Sequence, residues 1–193
     1  LGHVIEVVSG REEGRLIWLG VTHALPRSSQ RRLVIDIGGG STEVIMGRGF
    51  EPELTESVQA GCVASSLRFF PNGRITAKRW QRAGEELGVL MQQFAAEYRE
   101  KDWSEAWGTS GTMQAIASIA AGMGDPANSI TRKSLDRMRD VLLRAGSARA
   151  VVLPGLARDR RPTIAAGIAV AEALFDALDL DRIGVSEGAL REG

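Results

Sequence analysis

Residues 33–43 read Leu-Val-Ile-Asp-Ile-Gly-Gly-Gly-Ser-Thr-Glu, a set of residue types that can handle phosphate. Leu33, Val34, Ile35 and Ile37 bracket Asp36, and an apolar run of this kind suits a buried strand. A carboxylate inside such a strand is costly unless it meets a cation or hydrogen-bond donors. Gly38, Gly39 and Gly40 can take φ > 0 and present bare backbone N–H groups. Together with Ser41 and Thr42 they would form a concave anion site. Asp36 beside that turn points to a divalent metal reached through water. A ligand-free hairpin is the bland alternative, but three glycines are more than a hairpin needs.

Two further clusters are weaker on their own. Gly108-Thr109-Ser110-Gly111-Thr112 falls between a short strand and a helix, where backbone N–H groups and the helix dipole can face an anion. Ordinary capping by Ser110 or Thr109 explains it equally well. Glu12-Glu13 opens the first helix, where acids are favoured without any chemistry, although a carboxylate near phosphate can act as general base on water.

The elements that must position these residues follow from patterning. Val4–Val8 is β-prone and residues 11–21 look helical. Residues 26–31, polar and opened by Pro26, form a linker. Leu33–Ile37 and Thr42–Met46 flank the glycines as two strands, continued by Leu54–Val58. Strand, turn, strand is a hairpin, which excludes a Rossmann or Walker phosphate loop. Cys62–Phe70 is a short helix stopped by Pro71-Asn72-Gly73. Thr76 caps a long helix to about Tyr98. Glu105–Gly108 is a strand, Met113–Ala121 a helix and residues 122–129 a loop. Thr131 caps a helix through Arg144, and Pro162 begins another. Ile183-Gly184-Val185 is a last strand, and Ser186–Gly193 reads as a helix start cut short. The pattern is that of a mixed α/β domain with an open sheet flanked by helices.

Composition narrows the class. The 193 residues carry 24 Lys+Arg against 24 Asp+Glu, so there is no basic field for nucleic acid. No apolar run is long enough to span a membrane. Cys62 is the single cysteine, which excludes an internal disulfide and fits a reducing, cytoplasmic setting. His3 and His23 lack zinc-ligand spacing. Arg158-Asp159-Arg160-Arg161 reads as a solvated loop, with contact to a polyanion as the alternative and Arg158, Arg160 and Arg161 as the candidates; Trp18, Trp80, Trp103 and Trp107 read as packing residues, and Cys62 has no partner base. The start at Leu1, without Met or a signal pattern, reads as a chain cut from a longer protein.

With these residues in view, the chain resembles the exopolyphosphatase/guanosine pentaphosphate phosphohydrolase (Ppx/GppA) family of the actin-like ATPase superfamily. The matching segments are Ile5-Glu6-Val7-Val8-Ser9-Gly10-Arg11-Glu12-Glu13-Gly14-Arg15-Leu16, Leu33–Glu43, Gly108–Thr112, Pro154-Gly155-Leu156 and Ser186-Glu187-Gly188-Ala189-Leu190-Arg191-Glu192-Gly193. They occur in family order. The resemblance implies an actin-like (ribonuclease H-like) fold with two domains about a cleft. Residues 1–25 would be the tail of the first domain, 26–31 the linker, and 32–193 the second domain with its C-terminus truncated. The glycine turn would be the second phosphate loop, and Gly108, Ser110, Gly111 and Thr112 would line the deep part of the cleft. The family's catalytic base falls on Glu13, reversing the bland reading above, and Glu43 matches an acid that holds metal and phosphate with Asp36. Two departures are Gly14, where many relatives have Ala, and Glu187, where Asp is frequent. Glycine at position 14 weakens the helix by about 1 kcal/mol without touching the chemistry.

The implied activity is Mg²⁺-dependent hydrolysis of terminal phosphoanhydride bonds in inorganic polyphosphate or guanosine pentaphosphate. The isolated fragment is expected to be inactive, because the other half of the phosphate clamp would lie in the first domain. An ATP-using kinase or ATPase shares both turns, though the Ser9-Gly10-Arg11-Glu12-Glu13 match stands against it. A non-catalytic domain sensing polyphosphate or an alarmone is a further alternative. Relatives are often homodimers through C-terminal segments, which leaves oligomeric state open.

Overall fold

The apolar run around Asp36 forms β1 (Arg32–Ile37), buried along its whole length. The computed structural model describes residues 9–186. The strand expected at Val4–Val8 and residues 187–193 of the expected terminal helix start lie outside those residues. β1 pairs antiparallel with β2 (Thr42–Arg48), and β2 pairs antiparallel with β3 (Glu51–Val58). On its other side β1 pairs parallel with β4 (Glu105–Thr109), which pairs parallel with β6 (Arg182–Val185). β5 (Ser129–Thr131) closes the far edge, antiparallel to β6. The mixed sheet has the order β3-β2-β1-β4-β6-β5. β5 corrects the loop expected over residues 122–129: the loop ends at Asn128, and three residues then pair with β6.

Side chains alternate across a strand, and the two faces of β1 have different partners. Leu33, Ile35 and Ile37 join Val44 and Met46 of β2 in the main core. That core is filled by α3 (Ala77–Glu100), α4 (Ser110–Gly122), α5 (Arg132–Ala145) and α6 (Ile164–Ala177). α6 is buried along its length except at Glu172 and Asp176, as a largely apolar helix must be. On the opposite face, Val34 and Ile45 pack against Ile17, Trp18 and Val21 of α1 (Gly10–Ala24). Trp18 is fully buried, and cutting a side chain of that size to alanine costs about 3–5 kcal/mol. This packing fixes α1 over β1–β3.

Local signals set the ends of these elements. Ser9 caps α1 by accepting from the Glu12 N–H at 3.3 Å. Thr76 caps α3, and α5 begins with a reciprocal Thr131/Ser134 capping box and ends at Gly146 with φ 69°. Tyr98 Oη donates to the Val44 carbonyl at 2.7 Å, tying α3 to β2. The half-buried Glu172 of α6 accepts from Trp80 Nε1 at 2.8 Å and Arg139 at 3.1 Å, and burial pushes its carboxyl up to about 7.

Candidate active site

The three glycines after β1 do not use the left-handed conformation open to them: none of Gly38, Gly39 or Gly40 has positive φ. The close approach is made by Gly61 instead, since a Cβ on Gly39 would meet only Val63 Cγ2 at 3.7 Å. The turn folds back on α2 (Cys62–Phe69), and its carbonyls accept the first free N–H groups of that helix. Gly61 N donates to Gly40 O, Cys62 N to Gly38 O, and Val63 N to Gly39 O, each at 2.9 Å. A Cβ on Gly61 would lie 2.4 Å from the Gly39 carbonyl, so the seat requires glycine on the helix side. Thr42 is buried and its hydroxyl donates to the Ala60 carbonyl at 2.9 Å, holding the turn from behind. Gly38 N donates to Ser41 O at 3.0 Å. Among the described residues no backbone acceptor meets the N–H groups of Gly39 and Gly40. Both residues are exposed, and a Cβ on Gly40 would meet nothing within 4 Å. The turn thus offers uncovered donors, with the positive end of the α2 dipole beneath it.

The carboxylates collect on the α1 side of the sheet. Asp36 lies opposite Glu43, and Glu43 opposite Ser57 of β3. Both acids are buried. Burial first, then the Glu43 and Glu13 charges, hold the Asp36 carboxyl up to about 7. Burial also raises Glu43, against the hydroxyls of Ser57 and Ser41, which hydrogen-bond to it and favour its ionised form. The Ser57 bond is 2.8 Å. The adjacent acids of α1 differ in surroundings. Glu12 is held by Arg15 through bonds of 2.7 and 2.9 Å, whereas the charge of Glu13 acts on both Asp36 and Glu43. Gly14 permits this proximity, because a Cβ there would sit 2.5 Å from Thr55 Cγ2.

The second turn meets the first across β1. Ser110 is held at φ 89°, a costly backbone for a residue with a Cβ. Its hydroxyl donates to Ile37 O at 3.0 Å and accepts from Met113 N at 3.4 Å. The buried Thr112 hydroxyl donates to Cys62 Sγ at 3.4 Å. Arg160 lies against Gly111, where a Cβ would be 2.6 Å from its guanidinium. Gly38, Gly39, Ser110, Gly111, Thr112 and Arg160 line a groove of about 360 Å³. Asp159, paired with Arg160 at 3.5 Å, lines it as well, but Asp36, Glu43 and Glu13 do not. They lie on the far side of the glycine turn, which is where the two sets of residues meet.

The sequence offered Arg158, Arg160 and Arg161 as basic residues that could contact a polyanion without placing them, and the structure sets Arg160 at the second turn. The available signal was a basic run directly before an apolar helix. Gly61 was missed, although glycine immediately before a helix start is a sign of close backbone approach.

The donor set suits a hard divalent cation: the buried Asp36 and Glu43 face each other, and both are raised by burial and by the Glu13 charge, with no basic partner among the causes. Among the described residues no group of three acidic, His or Cys side chains can chelate an ion unaided. Two carboxylates completed by substrate oxygens and water is the usual holding of Mg²⁺.

The Ppx/GppA phosphatase family model matches residues 1–193. The chain belongs to the Ppx/GppA phosphatase family. It is 37% identical over 189 residues to a Haemophilus influenzae protein provisionally named an exopolyphosphatase, covering 98% of this chain and 58% of that one. It is also 37% identical over 193 residues to the guanosine-5'-triphosphate,3'-diphosphate pyrophosphatase of Pseudoalteromonas translucida, covering all of this chain and 38% of that protein. The chain therefore spans well under two thirds of the length of these relatives. The Aquifex aeolicus Ppx/GppA enzyme superposes with a TM-score of 0.81 at 26% identity, over 99% of this chain and 64% of that one. The Cytophaga hutchinsonii exopolyphosphatase shares the fold, with a TM-score of 0.80 at 23% identity over 97% of this chain and 62% of that one. The Ppx/GppA fold is the expected actin-like one. Among the described residues, no helix is long and apolar enough to cross a membrane.

Proposed function

We propose that the protein carrying this chain hydrolyses terminal phosphoanhydride bonds of inorganic polyphosphate or guanosine pentaphosphate and releases orthophosphate. The observation that carries this is the juxtaposition of uncovered N–H donors at Gly39 and Gly40 with the carboxylates Asp36, Glu43 and Glu13, in a chain of a phosphatase family. Phosphoryl transfer needs chiefly positioning and charge neutralisation, and the residues divide along those lines. The N–H groups of the glycine turn hold phosphate oxygens, and Arg160 adds a cation over the second turn. Asp36 and Glu43 would hold Mg²⁺, which neutralises charge developing on the transferred group. Glu13 orients a water and takes its proton as the water oxygen bonds to the terminal phosphorus. The bond from that phosphorus to the bridging oxygen breaks, and the shortened chain leaves. Glu12 is bound to Arg15, so Glu13 is the acid of the pair that can serve as base.

The division of the chain into a first-domain tail (1–25), a linker (26–31) and a second domain (32–193) is part of the same reading. The 193 residues alone would then hold half of a phosphate clamp and turn over little substrate. A cytoplasmic setting suits the reduced, buried Cys62. The test is orthophosphate release by the full-length protein from both substrates, with Mg²⁺ and after chelation. Release from at least one, lost on chelation, is expected. No release from either with Mg²⁺ present would overturn the proposal.

A further inference from the structure

The turn Arg158–Arg160 separates two hollows. Arg160 and Asp159 face the groove between the two phosphate turns. Behind them lies a larger hollow of about 560 Å³, lined by Asn72, Gly73, Ala148, Arg149, Arg158 and Arg161, with Pro162 at its edge. Three of these residues are arginines and none is an acid. Among the described residues no carboxylate pairs with Arg149, Arg158 or Arg161. Arg161 Nε is buried and meets no hydrogen-bond acceptor, although a buried donor without a partner is costly. Asn72 and Gly73, both at positive φ, form the opposite wall, pinned where Ala148 N donates to Gly73 O at 2.8 Å.

We propose that this hollow is a second phosphate subsite, which binds an internal phosphate of a linear inorganic polyphosphate whose end lies at the glycine turn. This rests on the function proposed above. A guanidinium presents paired N–H donors that match phosphate oxygens, and three unneutralised guanidiniums around one hollow make a positive field that attracts a polyanion. The bound phosphate would supply the acceptor that Arg161 Nε lacks. The lining contains no aromatic side chain on which a base could stack, so the hollow fits a bare phosphate chain rather than a nucleoside. Continuity is given by chain order: Arg160 faces the first groove, and Arg158 and Arg161 on either side of it face the second.

Arg149 and Arg158 are exposed, so replacing them should leave the fold intact. The experiment measures equilibrium binding to the full-length protein in EDTA, which prevents consumption of the ligands. The ligands are pyrophosphate, guanosine pentaphosphate and a polyphosphate of about fifteen residues, each at two salt concentrations. Loss of charge-assisted hydrogen bonds predicts at least about tenfold weaker binding of the long chain by Arg149→Ala/Arg158→Ala, with a shallower salt dependence. Pyrophosphate and guanosine pentaphosphate should stay within about twofold, and Arg149→Lys/Arg158→Lys should recover part of the loss. Long-chain affinity within twofold of wild type in the double alanine variant would overturn the subsite. An equal loss for guanosine pentaphosphate would overturn the assignment to an inorganic chain. Gly40→Ala separates the two levels of the account. If it weakens all three ligands while the arginine variant weakens none, the function stands and the subsite falls. If wild type binds none of the three in EDTA, the subsite falls, and the function is decided by phosphate release with Mg²⁺.

Discussion

Asp36 and Glu43 face each other directly across the β1–β2 hairpin, on the side of the sheet covered by α1, and the charge of Glu13 acts on both. Three like-charged groups thus share a partly dry space behind a turn whose N–H groups point outward.

This crowding makes stability depend on pH in a definite direction. Burial, Glu43 and Glu13 raise the Asp36 carboxyl from 3.8 to about 7, so across that interval the native state keeps a proton that the unfolded chain has released. The stability contributed by Asp36 is fully present below about pH 4 and is lost as pH rises through about 7. Glu172, also raised to about 7, adds to the same slope. In metal-free buffer, Asp36→Asn should therefore raise Tm at pH 8 by several degrees relative to wild type and change it less at pH 5. Mg²⁺ should raise the pH 8 Tm of wild type and not that of the variant. Thermal melts at the two pH values check this, and an equal loss of Tm at both would contradict it.

The glycines of the first turn should separate binding from folding. Gly40→Ala adds a methyl where nothing lies within 4 Å, so stability should change by less than about 1 kcal/mol, while phosphate binding weakens at least about tenfold. Gly61→Ala drives a methyl into the Gly39 carbonyl at 2.4 Å and should cost about 2 kcal/mol or more along with binding. Denaturant melts and phosphate titrations of both variants check the pair.

Gly14 carries a second such contrast. Alanine would gain about 1 kcal/mol of helix propensity, but its methyl would sit 2.5 Å from Thr55 Cγ2. An overpacked contact costs about 1–3 kcal/mol, so the clash wins and Gly14→Ala should destabilise by about 1 kcal/mol. Thr55→Ser removes that methyl and should turn the same substitution into a stabilising one. Unfolding free energies for the four members of the cycle check this.

Much of the scaffold was legible because local signals and tertiary packing agree. The apolar run around Asp36, the caps at Thr76 and Thr131, and the stop at Pro71-Asn72-Gly73 each name an element boundary that the structure contains. β5 was not legible: Ser129–Thr131 is three residues long and is a strand because β6, more than fifty residues later, pairs with it. Nor was the backbone of the glycines, since the sequence offers a left-handed turn where none of Gly38, Gly39 and Gly40 has positive φ, and the close contact falls on Gly61. Arg160 reaches Gly111 across nearly fifty residues, and no local pattern records such a contact. The charge effects of Glu43 and Glu13 on Asp36, and of Glu13 on Glu43, follow from strand register and from the packing of α1, so the proximity is a tertiary fact.

The central claim is that Glu13 activates water against a terminal phosphate held at the glycine turn. Its most direct test is orthophosphate release from polyphosphate by the full-length protein and its Glu13→Gln variant, with substrate affinity measured alongside. General-base catalysis accounts for about 10²–10⁴ in rate. A fall in kcat of at least a hundredfold is expected, with affinity within about twofold. A variant that releases phosphate at close to the wild-type rate would contradict it.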